Sequence, residues 1–122
     1  MIKIKRVYDK VDESDGYRIL VDRLWPRGLT KSEAQISDWQ KTIAPSEKLR
    51  KWYAHDVEKW DDFKLLYFAE LSKKTDLLRP IMEKVSAGDL TFVFAAKDTE
   101  HNNAVALKEY IESGKNTNVL QT

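Results

Sequence analysis

The stretch Leu90-Thr91-Phe92-Val93-Phe94-Ala95-Ala96 limits this chain more than any other. It is an almost unbroken apolar run between Gly88, which stops the segment before it, and a polar loop. A strand with one wet face alternates apolar and polar residues; this one does not. Such a run is the pattern of a strand buried on both faces of a parallel sheet, where packed elements cover both sides.

The other strands are weighed against that one. Ile2-Lys3-Ile4-Lys5-Arg6-Val7-Tyr8 alternates and predicts a half-buried strand. Asp9 to Gly16 is polar and turn-rich, so the chain reverses or crosses over there. Tyr17 to Leu24 predicts a second, more buried strand, too short for a helix and carrying Ile19 and Val21. The link between these two strands is short for a parallel crossover, which suggests an antiparallel first strand.

The middle of the chain has helical spacing. A first, weakly amphipathic helix is expected over 34–43 with Ile36, Trp39 and Ile43. Ser46 is a candidate N-cap for a second, with Leu49, Trp52 and Tyr53 on one face. Asp56 caps a third that turns Trp60, Phe63, Leu66, Tyr67 and Leu71 inward. A fourth runs over 76–87, with Pro80 near its first turn and Gly88 as its stop. The last covers 104–112 and ends at Gly114, and Asn118-Val119-Leu120 adds a short final strand. The expectation is one α/β domain over 1–122, with a small, open, mainly parallel sheet, helices packed on it, and a helical insertion at about 34–87.

Composition enters through what it excludes. No cysteine is present, so disulfides, thiolate metal sites and cysteine nucleophiles are ruled out. The formal charge of +1 argues against a dedicated, strongly basic nucleic-acid binder. Two histidines without HxxxH or HExxH spacing make no recognisable metal site, and four glycines are too few for a glycine-rich phosphate cradle. No cofactor and no metal are therefore expected. Met1 to Lys5 holds no continuous apolar stretch, so no signal peptide is expected, and no run is long enough to span a bilayer. The expected location is the cytoplasm.

Two loops carry the chemistry. Ligands of open α/β sheets sit beyond the carboxyl ends of the strands. The second strand leaves through Asp22-Arg23-Leu24-Trp25-Pro26-Arg27-Gly28, and the apolar strand through Ala95-Ala96-Lys97-Asp98-Thr99-Glu100-His101-Asn102-Asn103. If those strands are neighbours, the loops face each other. Arg23 and Arg27 offer planar forks of donors suited to phosphate or carboxylate, and Lys97 adds a point charge. The first amides of the last helix, around Asn102 and Asn103, present positive potential. His101, supported by Asp98, is the candidate general acid or base, with Asp22 beside them as a third catalytic candidate. Trp25 offers a stacking face. His55 lies off the Leu49/Trp52/Tyr53 face and is free to point at a cleft.

Each has a plainer reading. Arg23 and Asp22 can form a salt bridge that pins the loop, Trp25 can be a lid on the core, and Asn102 can be only an N-cap. Asp56 as an N-cap explains itself.

Three blocks carry a family resemblance: VDRLWPRG, IAPSEKLRKWYAHDVEKWDDF and FAAKDTEHNNAVALKEYI. They resemble the YeaO-like family of small bacterial proteins, within a broader domain-of-unknown-function group. The resemblance covers nearly the whole chain and implies a roughly Rossmann-like α/β domain with no established activity. Larger relatives of the broader group are similar in carrying an Asp-x-Arg stretch after the second strand, which Asp22 and Arg23 with Arg27 resemble. Their later Cys-His-Arg stretch is met here only by His101 and Asn102; the cysteine and the arginine are absent. The reading is thus an anion-binding domain, for a nucleotide, a phosphorylated metabolite or nucleic acid, with a candidate acid/base site. The alternative is a non-catalytic nucleic-acid- or protein-binding module, suggested by Lys48, Arg50, Lys51, Trp52, Tyr53, Lys59 and Trp60.

Overall fold

The computed structural model describes residues 1–114. The apolar run becomes β4 (Leu90–Phe94), and all five of its residues are buried. It lies between β1 (Ile2–Arg6) and β2 (Tyr17–Leu20), and β3 (Asp38–Trp39) completes the order β1-β4-β2-β3. Every pairing is parallel, with Ile4 and Ile19 both in register with Phe92.

The antiparallel expectation for the first strand is therefore overturned. β1 and β2 do not pair; β4 is inserted between them. Residues 7–16 need only carry the chain back past one five-residue strand, roughly 17 Å at about 3.3 Å per residue. A segment of that length reaches without a helix. It is fixed by a turn of 3₁₀ helix at Glu13–Asp15, with Asp12 accepting from the Ser14 amide. Gly16 then enters β2 at φ +65°, where an added Cβ would stand 2.3 Å from the Asp89 carbonyl oxygen.

The expected helix over 34–43 is also replaced. Thr30 and Glu33 form a capping box for a single turn, α1 (Lys31–Ala34), and Gln35 ends it in the left-handed region at φ 47°. The chain then pairs with β2: Ser37 N–H donates to the Arg18 carbonyl and Gln40 N–H to that of Leu20. Ile36 and Trp39 do pack inward, but as an extended cover rather than a helix face. A second 3₁₀ turn (Lys41–Ile43) delivers Ile43 to the main core.

From there the helices lie where expected, α2 (Glu47–Tyr53), α3 (Trp60–Leu71), α4 (Thr75–Ala87) and α5 (Asn103–Glu112), but Leu66 does not turn inward: it is exposed on α3, as Trp52 is on α2. Ser46 caps α2 by accepting from the Leu49 amide, and Asp56 caps a 3₁₀ turn that leads into α3. Pro80 falls in the second turn of α4, not its first, and so withholds a donor from the Asp76 carbonyl. The suggested strand at Asn118-Val119-Leu120 lies outside the described residues.

The sheet's two faces are covered unequally. Ile2, Ile19, Phe92 and Phe94 face a large core shared with α2 to α5, including Phe63, Tyr67, Leu78 and Leu107. Leu20 and Val93 face a smaller cluster closed by Val7, Ala34, Trp25, Leu29, Ile36 and Trp39. Both faces of β4 are thus dry, as its sequence demands. No described helix is long and apolar enough to cross a membrane.

Candidate functional site

β2 stops at Leu20, four residues short of the expected end, though the Val21 amide still reaches the Val93 carbonyl at 3.2 Å. Beyond it the chain leaves the sheet, and β4 does the same after Phe94. Because β2 and β4 are neighbours, the two exits face one another. Between them, under α2 and the start of α5, lies a cleft of about 630 Å³.

Asp22 ties the exits together. One carboxylate oxygen accepts from the Ala95 amide at 2.8 Å, and the other from Asn103 Nδ2 at 3.1 Å. Asn103 Nδ2 also donates to the Val21 carbonyl at 2.8 Å. The β4 exit is gripped from its other side by Arg6, whose guanidinium donates to the Ala95 and Ala96 carbonyls. Burial pushes the Asp22 carboxyl above its ordinary range, and the Ala95 and Asn103 donors and the His55 charge only partly oppose it. Asp22 and Arg23 form no salt bridge; Asp22 accepts from Ala95 and Asn103, and Arg23 turns to the Pro45 carbonyl.

Arg23 donates through Nε to the Pro45 carbonyl at 3.2 Å. Among the described residues no carboxylate pairs with Arg23, Arg27 or Lys97 within ion-pair distance, and Arg27 and Lys97 are exposed. Trp25 takes the plainer role as well as a wall position. Its Nε1 donates to the Leu29 carbonyl at 2.7 Å, and its ring meets Trp39 edge-on at 5.4 Å, closing the smaller cluster.

On the opposite wall, Asp98 accepts from the Glu100 and His101 amides and contacts His101 Nδ1 at 3.0 Å. The Glu100 amide, with help from His101, holds the Asp98 carboxyl below its usual range against desolvation. A carboxylate at Nδ1 fixes the ring orientation and favours the tautomer with its proton there, which leaves Nε2 as the acceptor. Trp60 packs edge-on against His101 at 5.5 Å, and Tyr53 Oη donates to the His101 carbonyl at 3.0 Å. Asn102 is buried and caps α5: its Oδ1 accepts from the Val105 amide, and its Nδ2 donates to the Asp98 carbonyl. Its hydrogen bonds are those of a cap. His55 reaches the cleft from a pair of left-handed residues, Ala54 (φ 47°) and His55 (φ 59°).

The sequence candidates Asp22, Arg23, Trp25, Arg27, His55, Lys97, Asp98, His101 and Asn102 all border this one cleft. Sequence reasoning did not assign Arg50 and Tyr53 to it, nor the side chain of Asn103. Arg50 lies one turn before Tyr53 on α2, so the i, i+3 spacing from a core tyrosine was the signal available. The other basic and aromatic residues of the middle segment form an interlaced surface: Lys59 lies over the Trp52 ring at 5.1 Å, and Lys51 pairs with Glu47 at 3.4 Å. Among the described residues, no group of three or more His, Asp or Glu side chains could hold a metal.

Comparison with known proteins adds kinship without chemistry. A family model described as the inactive DUF488-N3 subclade matches residues 1–119. The uncharacterized protein YeaO of Escherichia coli K12 is 40% identical over 112 residues, 92% of this chain and 97% of that protein. The uncharacterized protein Rv3073c of Mycobacterium tuberculosis H37Rv is 34% identical over 110 residues, covering 90% of this chain and 92% of its own length. No solved structure matches.

Proposed function

The chain belongs to the inactive DUF488-N3 subclade, and with that as premise we propose that it binds a small anionic ligand in the cleft between the β2 and β4 exits. One observation carries the reading. Arg23, Arg27, Arg50 and Lys97 border the same cleft from three different elements, and Arg23, Arg27 and Lys97 have no carboxylate partner among the described residues. Cationic forks left over after the protein's own acceptors are served are what an anion site requires. The apolar wall around them lowers the local dielectric and strengthens the attraction. The first amides of α5 add positive potential at the same place.

The description of the family as inactive weighs toward binding without turnover. A second reading is favoured by the 3.0 Å contact between His101 Nδ1 and Asp98: an acid/base site in which His101 Nε2 exchanges a proton with the ligand. Both readings need the anion to bind first. The nucleic-acid alternative loses support where Lys59 covers Trp52 and Lys51 turns to Glu47.

Thermal shift against nucleotides, phosphosugars and short oligonucleotides tests the reading, with Arg23→Ala and His101→Ala alongside. A ligand at about a hundred times its dissociation constant adds roughly 2.7 kcal/mol, a shift of about 4–8 °C at most for a domain near this size. The expected result is a shift with small anions that Arg23→Ala abolishes. His101→Ala retains it if the histidine acts only on a proton. No shift with any anion overturns the proposal.

A further inference from the structure

Resting on the anion-site reading, we infer that the ligand is a phosphate monoester: a terminal, dianionic phosphate on an apolar body, rather than a monoanion or the diester backbone of a nucleic acid. Four cationic side chains border the cleft against two carboxylates, Asp22 and Asp98; Arg50 also meets Glu47, outside the cleft, at 3.8 Å in an exposed pair, so the lining itself carries two more cationic than anionic groups. The two carboxylates are also the engaged groups. Asp22 is held by Ala95 and Asn103, and Asp98 by the Glu100 and His101 amides and the His101 ring. Neither makes an ion pair with Arg23 or Arg27. A ligand with one negative charge leaves a cation uncompensated in a partly dry cleft, whereas a dianion matches the excess.

The second part is shape. The cations come to the cleft from three elements, the β2 exit (Arg23, Arg27), α2 (Arg50) and the β4 exit (Lys97), rather than along one. A nucleic-acid backbone presents one charge per phosphate along a path and calls for a basic stripe. A terminal phosphate offers three oxygens to donors arriving from several sides. The third part is the wall. Leu24, Pro26, Pro45, Phe63, Ala95 and Ala96 contribute apolar surface to the same cleft, and inorganic phosphate alone would leave that surface wet. An ester whose organic group is flat or apolar covers it.

Four probes at pH 8 separate these features. Phenyl phosphate is a dianion there, its second ionisation lying near pH 6. Phenyl sulfate and methyl phenyl phosphate are monoanions of similar shape, the latter a diester. Inorganic phosphate carries the charge without the body. Binding is read by NMR titration of the backbone amides, those of Ala95 to Asn103 above all. The expected result is phenyl phosphate binding about tenfold or more tighter than each of the other three, a ratio equivalent to about 1.4 kcal/mol. Arg50→Ala, on the exposed face of α2, removes most of that preference without unfolding the chain. If the sulfate or the diester binds within about threefold of phenyl phosphate, the monoester inference fails while the anion site stands. If inorganic phosphate binds as tightly as phenyl phosphate, the apolar body is excluded. If none of the four binds, the anion site itself is wrong and the inference falls with it.

Discussion

Arg18 and Arg23 lie five positions apart on and just beyond the same strand, yet they have opposite relations to the rest of the molecule. Arg18 is 3% exposed, with every arm of its guanidinium engaged. Nη1 donates to Asp15 at 2.7 Å, Nη2 to the Ala34 carbonyl and Nε to that of Gln35. Asp15 in turn receives Lys5, and its carbonyl accepts from Thr91 Oγ1. At the other end of β2, Arg23 makes one hydrogen bond to a carbonyl and faces a cleft. The lesson is that an arginine's surroundings, not its identity, separate construction from recognition. One end of the sheet is a closed electrostatic knot, and the other holds donors in reserve.

Removing each arginine in turn separates the two roles. Arg18→Ala removes the shortest ion pair of the buried Asp15 carboxylate, leaving it to Lys5 and the Asp12 amide, and is expected to cost about 1.5–3 kcal/mol in urea unfolding. Arg23→Ala is expected to cost under about 1 kcal/mol, the ordinary value of one hydrogen bond. Equal losses would make Arg23 structural and remove the main support for the cleft as a binding site.

The glycines at the two ends give a second contrast. Gly16→Ala forces a left-handed alanine and drives its Cβ to within 2.3 Å of the Asp89 carbonyl oxygen; a loss of about 2–3 kcal/mol is expected. Gly28 has φ +83° with nothing within 4 Å of a built Cβ, so Gly28→Ala carries backbone strain alone, about 1–2 kcal/mol. Thermal denaturation of the two variants checks the order.

Acid sharpens the difference without changing the core. Burial alone would raise the Asp15 carboxyl, but the Asp12 amide, Lys5 and Arg18 outweigh it and hold it below 3.8. A depressed folded value means that Asp15 stabilises the fold above pH 3.8 and that this contribution is lost as pH falls through the folded value. Asp22 is raised by burial, so its contribution is present below pH 3.8 and is lost as pH rises through its folded value. Urea midpoints of the wild type, Asp15→Asn and Asp22→Asn across acid pH should therefore diverge in opposite directions. Parallel curves would show that the two carboxyls share one environment.

Much of the cleft was legible because its parts are local. The apolar runs of β2 and β4 end abruptly in Asp22-Arg23 and Lys97-Asp98, and strand ends in a parallel sheet are where ligand chemistry gathers. Arg18 was not legible: inside Tyr17-Arg18-Ile19-Leu20-Val21 it reads as one polar tooth of a strand, and its partners Asp15, Ala34 and Gln35 are specified only by the turns on either side. The one-turn α1 and the two-residue β3 were hidden for a related reason. The spacing of Ile36, Trp39 and Ile43 suits a helix, but Gln35 in the left-handed region and the pairing of Trp39 with Leu20 decide otherwise, and neither is a local property. The place of β4 between β1 and β2 is likewise written in no single segment.

That central place has a consequence for how the chain is born. The strand on which both β1 and β2 depend for their hydrogen bonds is the last of the described strands to be synthesised, and Ile2 must wait for Leu90. Until then β1 has no partner strand, and β2 has only the two residues of β3. Closing such distant pairings is slow relative to local ones, so the sheet must assemble late and nearly all at once. A nascent chain halted before Leu90 would hold helices and one minimal ladder, with Ile2, Ile4 and Ile19 open to whatever apolar surface or chaperone they met.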